Sequence, residues 1–431
     1  MTTTAIDVWF SDHPDLTNFR AGLFDLNGAL RGKRLPVAQC GKVADGRLRM
    51  PLSVTSVDIW GSDIRNSPLV FASGDADGIC RPTGRGPFRM NWLSEDSALV
   101  PVWMFNEDGT PFEADPRQVL ARVLSRYSAR GWRPVVGTEL EFCLFGQRAG
   151  APSAAISPLT YRDLTSDAIL SVDELDHFDG FLDDVYAACR AFGIPADAAI
   201  SECGPGQFEI NLDHRDDALA AADDAALFKR LVRGVARNHG MAASFMAKPR
   251  LKQAGNGLHI HFSVLDGGGR NIFDDGTSAG SAALHSAVAG CLAAMQESTL
   301  VFAPHLNSYR RFEADSHAPT AVAWGYENRT AAIRIPGGAP AARRIEHRVA
   351  GADANPYLVL ASLLGAALLG IEREMPPPDP VTGNTYGADL PRLPTYWHDA
   401  IRQFEGGSLV AEIFPSLLID MFARCKRQEM D

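Results

Sequence analysis

In "GNGLHIHFSV" (Gly255–Val264), His259 and His261 are two residues apart. Side chains alternate across a strand, so both imidazoles leave the same face. "GTELEF" repeats the spacing with Glu139 and Glu141, and "ARRIEHR" places Arg344, Glu346 and Arg348 on one face with Ile345 opposite. In "SECGPGQFEI", Glu202 and Glu209 have the wrong parity for one straight strand, but a bend at Gly204–Gly206 could bring them to one point. Arg329 and Arg334 stand in "ENRTAAIRIP". Any single pair reads best as the wet face of a sheet. Together, five glutamates and a histidine beside glycine loops could hold two divalent cations. Oxygen ligands suit Mg²⁺, and an imidazole makes Mn²⁺ acceptable. Five carboxylates against two dications leave about one excess negative charge, with arginines nearby for phosphate. A zinc hydrolase would offer more His or Cys.

These residues need strands to aim them. "RPVVGTELEFCLF" (Arg133–Phe145) and "GQFEINLDH" (Gly206–His214) read as strands, as do the His-Ile-His segment and "NRTAAIRI". Helices are expected from Asp115-Pro116 to Gly131, over Asp176–Pro195, Asp217–Gly240 and Ser281–Ser298, and as a buried span over Tyr357–Arg373. The first hundred residues read as short strands and turns, with a hairpin turning at Asn27-Gly28 and a loop over Ser73–Arg89. The pattern changes near Glu113, which predicts domains at 1–112 and 113–431. Strands and helices alternate without a clean βαβ rhythm, so the fold class expected is α+β with an antiparallel sheet and flanking helices.

The chain has 431 residues, a net charge of −11 and a hydrophobic fraction of 46%. That suits a large globular core and disfavours non-specific binding to nucleic acid or anionic membrane. The seven cysteines form no C-x-x-C and read as free thiols in a reducing compartment. With no leader-like start, a cytoplasmic location is expected. The apolar run Tyr357–Ile371 is too short for a membrane span.

From Phe19 to Ser416 the chain resembles glutamine synthetases, and more closely their glutamate–amine ligase relatives, the γ-glutamylpolyamine synthetases. The motifs, in order, include "DLNGALRGKRLPV", "GTELEF", "GPGQFEINL", "FMAKP", "GNGLHIHFS", "NSYRRF", "WGYENRTAAIRIP" and "RRIEHRVAGADANPYL". The resemblance implies a small N-terminal β-grasp domain, a larger catalytic domain, and a homo-oligomeric ring of six or twelve with sites between subunits. It implies ATP as a substrate and two or more Mg²⁺ or Mn²⁺ per site. One metal would be held by Glu141, Glu202 and Glu209, and the second by Glu139, His259 and Glu346. Arg311, Arg348 and the Gly255 backbone would face glutamate. Arg329, Arg334 and Arg344 would bind phosphate, with His261 and Ser263 on the nucleotide side. The activity implied is joining of the glutamate γ-carboxylate to an amine through γ-glutamyl phosphate.

Two segments depart from the ammonia-using pattern. The loop "RFEADSHAP" (Arg311–Pro319) has His317 where an acid is expected, and Met50–Asp63 lacks an acidic "DGSS"-type motif. Both changes remove ammonium ligands. The nucleophile expected is therefore a polyamine, a diamine or a small primary amine, with His317 as a candidate base. The alternatives are a true glutamine synthetase and a catalytically dead structural or regulatory homologue.

Overall fold

The computed structural model describes residues 4–431 except 94–95, 149–150, 166, 314–315 and 317. Among the described residues the strands form two sheets. The first has six: β1 (Asn18–Phe24), β2 (Leu30–Pro36), β3 (Leu48–Pro51), β4 (Asp77–Pro82), β5 (Phe88–Met90) and β6 (Ser97–Phe105). Its order is β2-β1-β6-β4-β3, with β5 on β6. The β1–β2 hairpin turns where expected, and Gly28 takes φ +70° there, a conformation that costs glycine little.

The second sheet has nine: β7 (Arg133–Arg148), β8 (Ala151–Ser153), β9 (Ala196–Ser201), β10 (Gln207–Arg215), β11 (Met241–Ser244), β12 (Leu258–Leu265), β13 (Trp324–Tyr326), β14 (Ile333–Ile335) and β15 (Ile345–His347). Its order is β13-β14-β15-β12-β7-β10-β9, with β8 and β11 also paired to β7. One face is apolar: Leu140, Phe142, Phe208, Ile210 and Ile260 are fully buried. Helix Ala218–Asn238 covers part of it, Phe228 meeting Phe142 edge-on. Each such side chain contributes about 1.5–3 kcal/mol on burial. A one-residue slip of β7 would exchange these residues for Glu139 and Glu141, so the apolar face fixes the register that presents the carboxylates.

Helix Pro116–Ser128 begins at Asp115, whose Oδ1 accepts the Arg117 and Gln118 backbone N–H groups. Helix Pro356–Glu372 is buried along nearly its whole length. It packs on helix Ala282–Ala293 through glycines. A Cβ on Gly290 would stand 2.1 Å from the Ala366 carbonyl oxygen, and one on Gly370 2.0 Å from that of Ser286. Among the described residues no helix is long and apolar enough to cross a membrane.

The α+β expectation holds, with local corrections. Parallel pairs β1–β6 and β13–β14 make both sheets mixed. The N-terminal hundred residues also contain helices Ala5–Ser11 and Cys40–Ala44, the first started by a Thr4–Asp7 capping box. Ser73–Arg89 is not simply loop, because β4 and part of β5 lie in it. Gly78 is there for close packing: its Cβ would meet Leu52 and Met104 at 2.5 Å. The helix expected over Asp176–Pro195 breaks at Phe178 into Val172–His177 and Asp179–Ala191, with the Phe178 ring fully buried against Phe208. In "NRTAAIRI" only Ile333–Ile335 is strand, because Asn328 Oδ1 accepts from Thr330 N and Oγ1 and turns the chain.

Candidate active site

The polar face of the second sheet carries a continuous row of charge set by cross-strand register. Glu209 of β10 lies opposite Glu141 of β7. Glu139, two residues back, lies opposite His259 of β12. His261 lies opposite Glu346 of β15, which lies opposite Arg334 of β14. Directly opposed side chains are the closest neighbours a sheet offers. Five strands therefore converge on one strip.

Glu139 is the hub. Its Oε2 is 2.9 Å from His259 Nδ1 and its Oε1 2.8 Å from His261 Nε2. Burial pushes its carboxyl up, but the two histidine hydrogen bonds outweigh that and hold it below the usual carboxylate range. Glu209 and Glu202 go the other way. Burial, then Glu139, Glu141 and Glu202, push Glu209 up to about 10. Burial, then Glu141, pushes Glu202 up to about 7. The cluster is thus short of positive charge at one end. At the other end Glu346 accepts from Arg334 Nη1 at 2.6 Å and from Arg348 Nη1. Against burial, these arginines and both histidines hold its carboxyl low.

Donor atoms of Glu139, Glu209 and His259 lie within 4.8 Å of one another, as do those of Glu139, His261 and Glu346. Carboxylate-rich sets with one imidazole fit a hard divalent cation such as Mg²⁺ or Mn²⁺. The raised Glu202 and Glu209 mark the same deficit of positive charge.

Glycine-rich backbone closes one side of the strip. Gly257 N–H donates to Glu141 Oε2 at 2.7 Å, and a Cβ on Gly257 would stand 2.8 Å from Arg311 Nη2. A Cβ on Gly255 would meet the Ala247 carbonyl oxygen at 2.4 Å. Arg311 is buried, its Nη1 donating to the Val349 carbonyl at 2.8 Å. On the other side opens a cleft of about 700 Å³ lined by Glu139, His214, His261, Ser263 and Arg344 among others. Arg344 Nε lies 3.3 Å from His261 Nδ1 there.

Residues 113–431 match the family described as glutamine synthetase, catalytic domain. The chain belongs to the glutamine synthetase family. It is 37% identical over 431 residues to the γ-glutamylputrescine synthetase of Escherichia coli strain K12, covering 99% of this chain and 91% of that one. It is 34% identical to a glutamate–isopropylamine ligase of a Pseudomonas species, covering 98% and 93%. The glutamine synthetase of Thermus thermophilus is 30% identical, with 96% and 92% covered. A solved structure of GmaS without ligand superposes with a TM-score of 0.85 at 28% identity, covering 100% of this chain and 96% of that one.

Within this glutamine synthetase-type site, Glu139, Glu141, Glu209, His259, His261 and Glu346 share one strip, with Glu202 close enough to Glu141 to feel its charge. Glu209 has a donor atom near those of Glu139 and His259, and His261 near those of Glu139 and Glu346. Arg334 and Arg348 are bonded to Glu346, whereas Arg329 is exposed, with its carbonyl accepting from Arg348 Nε. His317 lies outside the described residues. Sequence reasoning missed Asn256, which is fully buried. Its Oδ1 accepts from Gln207 Nε2 at 2.9 Å and its Nδ2 donates to the Met246 carbonyl, bracing the glycine loop. An asparagine between two glycines was the available signal.

Proposed function

We propose that the chain is an ATP-dependent ligase that joins the γ-carboxylate of glutamate to a primary amine, with a polyamine, diamine or small alkylamine in place of ammonia. The observation that carries this reading is the charge row from Glu209 to Arg334, in a chain whose relatives include synthetases named for putrescine and isopropylamine.

A carboxylate resists attack by an amine, because its carbon is electron-rich and oxide leaves poorly. Transfer of the ATP γ-phosphoryl group to the γ-carboxylate gives γ-glutamyl phosphate and ADP. The amine nitrogen then bonds to the acyl carbon, phosphate departs with the C–O bonding pair, and the amine sheds a proton. Both steps gather negative charge. Two divalent cations, held by Glu139, Glu141, Glu202, Glu209, His259 and Glu346, would supply the Lewis-acid charge for both steps. His261, Ser263 and Arg344 line the nucleotide cleft. Arg311, Arg348 and the Gly255 backbone hold glutamate, and Arg329 and Arg334 face phosphate. Gly255 and Gly257 leave room for the substrate where a side chain would intrude. His317 is our candidate to take the amine proton.

We assign residues 1–112 and 113–431 to two domains, place the enzyme in the cytoplasm, and expect a ring of six or twelve subunits with sites between them. The test is an amine panel with glutamate and ATP, read by phosphate release and by the mass of the γ-glutamyl product. An amine with a kcat/KM well above that of ammonia is the expected result. Ammonia as the best nucleophile would return the chain to glutamine synthesis, and no turnover with any nucleophile would make it a dead homologue.

A further inference from the structure

Beyond the charge row, the second sheet has another cleft, of about 420 Å³, at the far ends of β13 and β14. Its walls include Ser278, Ala279, Tyr326, Ile335, Gly338 and Arg343. Arg343 is the unusual member. It is 5% exposed, yet among the described residues no carboxylate pairs with it. Among those residues its Nη1 and Nη2 reach only the carbonyls of Pro336 at 3.5 Å and Thr277 at 3.3 Å, and its Nε has no partner. A buried cation without a counter-charge is costly, and the other buried arginines among the described residues, Arg117, Arg311 and Arg348, each have a carboxylate or a short carbonyl contact.

Three further features meet at the same place. Gly338 takes φ +114° and has open space where a Cβ would stand, so its backbone is bare to the cleft. Tyr326 is tied by its hydroxyl to the Ala279 carbonyl at 2.8 Å, which fixes the ring as a wall. Glu327, the acidic group at the rim, holds φ +51°, an unusual conformation for a residue with a Cβ. Its carboxylate is already engaged, accepting from the Gly337 N–H and from Arg334 Nη2 at 3.0 Å. Arg334 in turn donates to Glu346 in the charge row. Glu327 is thus bonded to Arg334 and not to Arg343, and it links the cleft to the charge row.

We propose that this cleft is an oxyanion site, taking the carboxylate or phosphate group of a small molecule on Arg343, with Ile335, Ala279 and the Tyr326 ring accepting an apolar portion. An anion seated on Arg343 repels the Glu327 carboxylate and so weakens its hold on Arg334. That second link rests on the ligase reading above, whereas the binding site itself does not.

Equilibrium dialysis of the assembled enzyme with radiolabelled propionate, and separately with inorganic phosphate, tests the site without any turnover. The decisive variant is Ser278→Asp, which puts a carboxylate of the chain's own into an exposed position of the cleft. Wild type is expected to bind at least one probe, and both Ser278→Asp and Arg343→Gln to weaken it about tenfold or more, the loss of one charge-assisted contact. Ser278→Asp should melt no lower than wild type, which separates lost binding from lost folding. Tighter propionate than phosphate assigns a carboxylate ligand, and the reverse a phosphate. No binding of either probe at millimolar concentration, or equal binding by wild type and Ser278→Asp, overturns the site. If binding stands but propionate leaves the ATP and glutamate kinetics unchanged, the link through Glu327 is wrong and the site is not.

Discussion

Two buried clusters of charge in this chain behave in opposite ways. Near the C-terminus, in and just after helix Ser416–Gln428, Lys426 and Glu429 have fully buried side chains. Lys426 Nζ donates to Glu429 Oε2 at 2.9 Å and to Asn27, and Glu429 Oε1 accepts from Ile59 N at 3.0 Å and Asn27 Nδ2 at 3.2 Å. Against burial, His305 and Lys426 pull the Glu429 carboxyl down to about 2. In the charge row of the second sheet, burial and neighbouring carboxylates push Glu209 up to about 10. Burial is similar, but the sign of the shift is opposite. A buried carboxylate that carries its own cation is a structural tie, here between the C-terminus and the first sheet. One surrounded by other carboxylates is a receptor for positive charge from outside.

The comparison breaks most sharply if removing a strip carboxylate is harmless. Glu141→Ala should lower kcat/KM by on the order of 10³-fold or more while leaving the oligomer and its melting curve intact, and Glu346→Ala should lose as much activity but also melt lower, because it strands Arg334 and Arg348, as sedimentation and calorimetry would show. Near-wild-type turnover in either would end the assignment of the strip. In the C-terminal cluster the effect should fall on stability instead. Lys426→Met takes the ammonium partner from the buried Glu429 and leaves it only His305, and urea unfolding should show a loss of about 3 kcal/mol. Exchanging both partners, Lys426→Met with Glu429→Leu, should recover much of it.

A smaller effect should follow from adding cations. Mn²⁺ at a hundredfold excess over its Kd should stabilise the wild type by about 2.7 kcal/mol through linkage, and Glu209→Gln much less. The smallest effect concerns pH. Glu429 is ionised more readily folded than unfolded, so its stabilisation is complete above about 4.5 and fades as pH falls toward about 2. Glu429→Gln should flatten that part of the acid unfolding curve.

Much of the strip was legible because strand alternation is arithmetic. His259 and His261, or Glu139 and Glu141, share a face in any straight strand, and the structure keeps them so. Which of them stand together was not legible, since that depends on register between strands up to about 120 residues apart in the chain. His261 beside Glu346 is set by pairing of β12 with β15, which no local pattern states. Local breaks escaped for a similar reason. Phe178 interrupts a helical pattern because its ring fills a place against Phe208, a tertiary demand. Gly78 looked like loop punctuation, and only the neighbouring Leu52 and Met104 explain it as strand packing.

The most direct test of the account is calorimetric titration of the metal-free enzyme with Mn²⁺, wild type beside Glu209→Gln. The strip predicts two ions per chain in the wild type, with proton release on binding because raised carboxyls must ionise, and loss of at least one ion in the variant. No binding at millimolar Mn²⁺, or an unchanged isotherm in Glu209→Gln, would contradict it.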